Sequence, residues 1–390
     1  MKRAPRGLED ELARELDALR QHALHRSLRG VAGRPGPRMC VDGRPVLMLA
    51  GNNCLDLAGD ARLLRAAARA SELHGTAAGG SRLISGNTAL HEAFEVDLAA
   101  FCQSESALVF STGYMANLGV LTALAGPDDV IVSDALSHAS LIDACRLARA
   151  EVRVFQHNDP QDLQRVARSC AGFRRRIFVA DGVYSMDGDC ARLRELIPIA
   201  RAHDMVTVID DAHGIGVLGA EGRGVVELEG TSVDVQVGNL GKALGSFGAF
   251  VACSARLREW LVNTARSFIF TCALPPACVG AARAALEIVR REPERRKTLL
   301  ERAEQLRTGL RKAGWETGAG ATHIVPAIAG DSAETMRLCE AALARGVYAQ
   351  GIRYPSVPRG SARIRFAPSS GHTKSDIERV VQTFAELRGS

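Results

Sequence analysis

MVTVIDDAHGIGVLG, residues 205–219, opens as a strand and closes as a glycine turn. A short apolar, β-branched run that breaks at a polar turn is the pattern of a strand buried on both faces. Gly214, Gly216 and Gly219 spell GxGxxG, which marks a dinucleotide site only where a strand leads directly into an amphipathic helix. Here an Asp-Asp-Ala-His turn precedes the glycines, and AEGRG (220–224) stands where that helix belongs. The nucleotide reading is the weaker one. The stronger reading rests on Asp210, a carboxylate at a strand end that can keep a pyridine nitrogen protonated. His213 follows within the same turn. Taken alone, such an Asp is more often a helix cap or turn former.

Working outward, the same rhythm repeats. ALVFST (107–112), DVIVSD (129–134), VRVFQH (152–157), RIFVAD (176–181) and VDVQVG (233–238) read as further buried strands. MANLGVLTALAG, SLIDACRLARA and RLRELIPIARAHD carry helical patterns between them. Alternation of this kind predicts an α/β fold with a mostly parallel sheet covered on both faces. Ligands in such sheets collect at the carboxyl ends of the strands, where the polar motifs fall. Before this region, residues 1–50 read as a helical arm with Leu12, Leu16, Leu19 and Leu24 on one stripe, then a break at GRPGPR and a hairpin in CVDGRPVLMLAG. Residues 51–275 form the large domain, and after LPP (274–276) residues 276–390 form a smaller α+β domain.

Four more segments carry chemistry. In VGNLGKALGSFGAF (237–250), Lys242 sits between glycines after an apolar strand. A lysine amine in a desolvated site loses affinity for its proton and becomes a nucleophile able to form a Schiff base. The GxxxxGK[ST] spacing of a phosphate loop fails, and Ala243 occupies the hydroxyl position. FSTGYMANLGVL (110–121) is a strand, a small-residue turn and a helix start, so the N–H groups of Gly113 and Tyr114 suit a phosphate or serve a plain N-cap. SDALSHASLID (133–143) places His138 between a strand and a helix, as a structural residue or as a ring stacked on a cofactor. DGVYSMDGD (181–189) ends another strand with Ser185 in a glycine turn.

The ordered set is more specific than its parts. Together with GGSRLISGNTALHEAFE, LSHASLIDACRLARA and the C-terminal YPSVPRGSARIR, these motifs resemble the α-oxoamine synthase family of fold-type I pyridoxal 5′-phosphate (PLP) enzymes over roughly residues 12 to 385. The resemblance implies a PLP-dependent acyltransferase that condenses an amino acid, L-alanine first, with an acyl thioester such as pimeloyl-CoA and loses CO₂. It implies that Lys242 carries the cofactor and moves the α-proton, Asp210 pairs with the ring nitrogen, His213 bonds the phenolic oxygen and His138 stacks on the ring. Ser185 would touch the ring, and Gly113, Tyr114 and Asn239 would lie at the phosphate. Thr271 or Cys272, in FIFTCALPP, would reach the phosphate of a neighbouring subunit, so the resemblance implies a homodimer with shared sites. Asn52 and Arg365 would take the amino-acid carboxylate, with Arg26 and Ser356 toward the acyl chain or CoA and Arg353 as a second anion binder. Four positions depart from the family pattern: Cys54 stands for an aromatic residue, Asp56 for a glycine, Asn239 for a threonine, and Cys272 sits in a stretch that is usually rich in hydroxyls. These leave glycine, serine or an acyl-carrier-protein substrate open. A catalytically degenerate subunit is a further alternative, against which the intact Lys242 argues.

Composition agrees with such an enzyme. The 390 residues carry 49 basic and 44 acidic side chains without a block of like charge, which argues against a nucleic-acid tail. Ten scattered cysteines without CxxC pairs read as reduced thiols rather than a disulfide framework or metal site. MKRAPRGLEDELARELDALRQ lacks the apolar core of a signal peptide, and no apolar run approaches the ~20 residues of a membrane span. The expectation is a cytoplasmic protein.

Overall fold

A computed structural model describes residues 7–389; Met1–Arg6, the start of the expected arm, and Ser390 lie outside the described residues. The arm is α1 (Leu8–Gln21), followed by β1 (Val31–Ala32), β2 (Arg38–Val41) and β3 (Arg44–Met48). β2 and β3 form the expected hairpin, turning through Asp42 and Gly43 at φ 47° and 78°. Two successive positive φ values match the right-handed twist of the strands they join. α2 (Ala61–His74) and α3 (Ala89–Cys102) then lead to β4 (Ser106–Phe110), α4 (Gly113–Leu124), β5 (Val130–Asp134), α5 (Ala139–Leu147), β6 (Glu151–Phe155) and α6 (Pro160–Arg168). β7 (Arg176–Asp181), α7 (Leu193–Ala202), β8 (Met205–Asp210), α8 (Val225–Leu228), β9 (Val235–Asn239) and β10 (Ala249–Cys253) continue the alternation. α9 (Ala255–Thr264), α10 (Arg266–Ile269), α11 (Pro276–Arg291) and α12 (Pro293–Lys312) follow. The chain ends with β11 (Val325–Gly330), α13 (Ser332–Ala344), β12 (Val347–Tyr348), β13 (Gln350–Ile352), β14 (Ala362–Phe366) and α14 (Lys374–Arg388).

The central sheet has seven strands in the order β4-β10-β9-β8-β7-β5-β6. Only β10 runs antiparallel to its neighbours; the other pairings are parallel. Successive residues of a strand point to opposite faces, so Ile177 and Val179 enter one core while Phe178 and Ala180 enter the other. All six expected strands form. β6 differs from the expectation of burial: Val152 is 40% and Val154 56% exposed. It is an edge strand with a neighbour on one side only. The leucines of α1 also remain exposed, and no residue of that helix is buried.

A separate core in the C-terminal unit gathers Leu306, Leu310, Trp315, Val325, Ile364, Phe366 and Phe384. The change of packing partner comes one helix later than residue 275. α11 still sends Val279, Ala282, Leu286 and Val289 into the core of the central sheet. It lies so close to α2 that a Cβ on Gly280 would sit 2.7 Å from that of Ala70. β12 pairs with β3, so residues 38–48 join the C-terminal unit instead of standing apart with the arm. Among the described residues no helix is long and apolar enough to cross a membrane.

Candidate active site

β7, β8 and β9 run side by side and end at the same edge, which places Asp181 directly beside Asp210. Both carboxylates are buried. Asp210 Oδ1 accepts from the Ala212 N–H at 3.0 Å and Oδ2 accepts from Asn117 Nδ2 at 2.6 Å. Asn117, one turn into α4, also donates to Ser140 Oγ at 2.8 Å, and that hydroxyl lies 2.8 Å from His138 Nδ1. One chain of hydrogen bonds thus runs from Asp210 through Asn117 and Ser140 to His138. His138 caps α5: its Nδ1 accepts from Ser140 N at 3.2 Å, and its own N–H donates to Asp181 Oδ2 at 2.8 Å. Burial lowers the pKa of His138, while Asp210 pulls the other way.

Lys242 is carried on the loop between the antiparallel strands β9 and β10, above Asp210. Hydrogen bonds from Leu240 N to Gly248 O, Ser246 N to Leu240 O and Gly245 N to Lys242 O pin that loop. Gly245 has φ +59°, and a Cβ there would meet Ala58 N at 2.6 Å, so the turn admits only glycine. Desolvation lowers the pKa of Lys242, and Arg365 lowers it further, against the opposing pull of Asp210. An amine held this way gives up its proton readily.

His213 is buried, and its pKa is pulled well below the ordinary histidine value, by burial first and then by Lys242 and Arg365. It is therefore neutral. Its Nδ1 is buried without a hydrogen bond. Arg365 is buried, donates from Nε to Ser185 O at 2.6 Å and from Nη2 to Asn52 Oδ1 at 3.3 Å. Asn52, Ser185 and Arg365 are thereby one group, with Arg365 close enough to Lys242 to affect its charge. Cys54 lies buried in the same place; its Sγ contacts Asn52 O at 3.2 Å, and burial pushes its thiol up to about 11.

At the start of α4, Thr112 caps the helix through Met115 N, leaving the N–H groups of Gly113 and Tyr114 without intrahelical acceptors. The Tyr114 hydroxyl turns aside to Asp143 at 2.7 Å, so the backbone is what this turn offers a ligand. Asn239 flanks it: a Cβ on Gly113 would sit 2.9 Å from Asn239 Nδ2. Cys272 is exposed, Thr271 half-buried, and the Cys272 carbonyl accepts from Ser111 Oγ at 3.2 Å.

Arg26, Arg353 and Ser356 form a separate group. Arg353 is buried and donates to His25 O at 2.6 Å, while Ser356 N donates to Arg353 O at 3.0 Å. Arg26 and Ser356 are exposed, and Arg26 is near enough to depress the pKa of Arg353. Asp56 adopts φ 55°, the left-handed conformation a glycine would take freely, and its carboxylate lies against Gly36 and Gly371. Sequence reasoning missed Asn117, Asp181 and His323. Asn117 left one signal, a lone amide in an otherwise apolar helix.

The family model for class I and II aminotransferases matches residues 44–384. The 8-amino-7-oxononanoate synthase of Geobacter sulfurreducens is 46% identical over 381 residues, covering 96% of this chain and 97% of that protein. Among solved structures, a serine palmitoyltransferase from S. paucimobilis with PLP and myriocin bound is similar with a TM-score of 0.93 at 30% identity, over 98% of each chain. An 8-amino-7-oxononanoate synthase from Francisella tularensis gives 0.77 at 26% identity, over 88% of this chain and 98% of that one.

Proposed function

Because this chain belongs to the class I and II aminotransferase family, we propose that it is a PLP-dependent α-oxoamine synthase, an acyltransferase that joins an amino acid to an acyl thioester and releases CO₂. The specific reading is L-alanine with pimeloyl-CoA, giving 8-amino-7-oxononanoate, a step toward biotin. The observation that carries it is the meeting of Lys242, Asp210, His213 and Arg365 at one edge of the sheet, from three separate parts of the chain.

The residues fit PLP by their own chemistry. Two free N–H groups at a helix start suit a phosphate, and a buried histidine with an unpaired Nδ1 has hydrogen-bonding capacity that the chain itself does not use. Asp210, held by Asn117, offers a carboxylate to a cationic ring nitrogen. When bound, PLP supplies the sink for the electron pair left at the amino acid's α-carbon. Lys242 Nζ is the amine that would hold the cofactor through its aldehyde carbon and, once the substrate's amino group has taken its place there, would take the proton from the substrate α-carbon and return one after CO₂ is lost. Arg365 and Asn52 bind the substrate carboxylate and orient the α-carbon toward Lys242. His138 would lie on one face of the cofactor ring, and His213 would donate to its phenolic oxygen.

The reading extends to a homodimer. Leu83, Ile84, Phe247 and Phe270 are 51%, 84%, 53% and 70% exposed. Their segments adjoin: Ala273 N bonds Gly80 O, and a Cβ on Gly248 would meet Leu274. A second copy is the partner we place there, with Thr271 and Cys272 at its phosphate site. The reaction belongs in the cytoplasm, where CoA thioesters are used.

The test mixes the PLP-loaded protein with single amino acids and acyl thioesters and follows CO₂ and free thiol. Alanine with pimeloyl-CoA is expected to be the best pair, and Lys242→Ala to abolish turnover. Undiminished turnover by that variant would refute the scheme. Serine with a longer acyl thioester is the second reading, favoured by the greater likeness to the serine palmitoyltransferase structure. The same assay separates the two.

A further inference from the structure

His323 takes no part in the scheme above, yet it is 1% exposed and neither of its ring nitrogens has a hydrogen bond among the described residues. A neutral imidazole carries one donor and one acceptor. Native interiors seldom leave both unpaired, so a group other than the chain itself must satisfy them. Its ring centroid lies 6.0 Å from that of His213, tilted by 35°, with no direct ring-to-ring hydrogen bond. His213 Nδ1 is the other buried nitrogen without a partner at this place. Two rings at that separation, with unpaired nitrogens on both, have the spacing and the polar partners that one bridging water would use.

The backbone holds His323 there firmly. Ile324 is packed in the core of the central sheet and Val325 in that of the C-terminal unit, so the residue sits where the chain crosses between them. Thr322 Oγ1 donates to Gly188 O at 2.7 Å, tying the crossing to the turn that bears Ser185. Lys242 and Arg365 are close enough to His323 to oppose its protonation, in the same direction as its burial.

We propose that His323 is a positioning residue for His213: as a neutral imidazole it donates through one ordered water to His213 Nδ1, which leaves the proton of His213 on Nε2. Nε2 is the nitrogen left to face the cleft. A donor on that nitrogen is what an anionic phenolic oxygen requires, so the inference rests on the reading of the cleft as a PLP site.

The test compares wild type, His323→Phe and His323→Gln as PLP-loaded, full-length proteins, following visible absorption against pH. His323→Phe keeps the ring's bulk without its nitrogens and is expected to move the titration midpoint by about one pH unit. His323→Gln, which retains an N–H donor, is expected to recover most of that shift. An unchanged midpoint in His323→Phe, with PLP content and thermal stability near wild type, overturns the proposal. Should the Phe variant not fold, a high-resolution crystal structure of the wild type decides. A water within hydrogen-bond distance of His213 Nδ1 and a His323 nitrogen is expected, and a dry gap overturns the idea. Wild type that takes up no PLP defeats the cofactor reading, while the water between the two histidines is still judged by that structure.

Discussion

Asp181 and Asp210 end adjacent parallel strands as register partners, two buried carboxylates at the floor of one cleft. Two like charges so placed do not ionise together cheaply. Burial first, and Asp210 second, push the Asp181 carboxyl well above the usual carboxylate range. Asp210 has two donors, Asn117 and the Ala212 N–H. The pair is therefore unequal: burial and its neighbour hold the proton on Asp181, whereas Asp210 is the one that a side-chain amide supports.

That inequality predicts unequal effects of two matched substitutions. Asp181→Asn keeps an acceptor for the His138 N–H, and its turnover is expected to stay within about tenfold of wild type. Asp210→Asn is expected to lower kcat by about 10³-fold. Steady-state kinetics of the two PLP-loaded variants checks this, and equal losses would contradict it.

Asn117→Ala removes one donor from Asp210 and one from Ser140 at once. Leaving a buried carboxylate short of a partner costs about 1–3 kcal/mol. Chemical denaturation should register that loss, and kcat should fall by roughly tenfold because the chain from Asp210 to His138 is cut.

His157 predicts a pH-dependent stability. Burial pulls its pKa down, but hydrogen bonds to Asp134 and Asp189, each at 2.9 Å, more than reverse this and raise it to about 10. A histidine raised in the folded state stabilises fully below its unfolded pKa, about 6.5, and loses that contribution as pH rises through about 10. The denaturation midpoint of wild type should therefore fall between pH 7 and 10 relative to His157→Gln, by an amount worth about 1–3 kcal/mol. Parallel curves for the two proteins over that range would count against the ion pairs.

Gly188 joins the two cores. It has φ +71°, and an added Cβ would lie 2.2 Å from Ile324 O, a backbone atom that cannot swing away. Gly188→Ala is expected to destabilise the protein by about 2–3 kcal/mol. Gly172→Ala, where nothing lies within 4 Å, is the control and should change stability by less than about 0.5 kcal/mol. Thermal melts of both variants make the comparison.

Arg365→Lys keeps the charge but loses the fork that reaches both Ser185 O and Asn52 Oδ1. The amino-acid KM should rise about tenfold or more, with a smaller fall in kcat. A change confined to the thioester KM would place Arg365 elsewhere in the reaction.

The local pattern of the chain was enough to determine the six strands, the helices between them, the hairpin within 40–51, and Asp210 and Lys242 as candidates. Those features depend on neighbours a few residues away: apolar runs mark buried strands, and glycines and polar turns mark their ends. Asn117, Asp181 and His323 were not legible. Asn117 meets Asp210 across 93 residues of sequence, Asp181 matters because its strand is the immediate neighbour of β8, and His323 matters because the chain crosses between two cores beside His213. Even the amphipathic stripe of α1 did not say whether its leucines would be covered, and within one chain they are not. Periodicity reports which face of an element is apolar, whereas the charge state and role of a buried polar group depend on what the fold sets against it. Only the tertiary structure, which joins distant stretches and removes water between them, decided that.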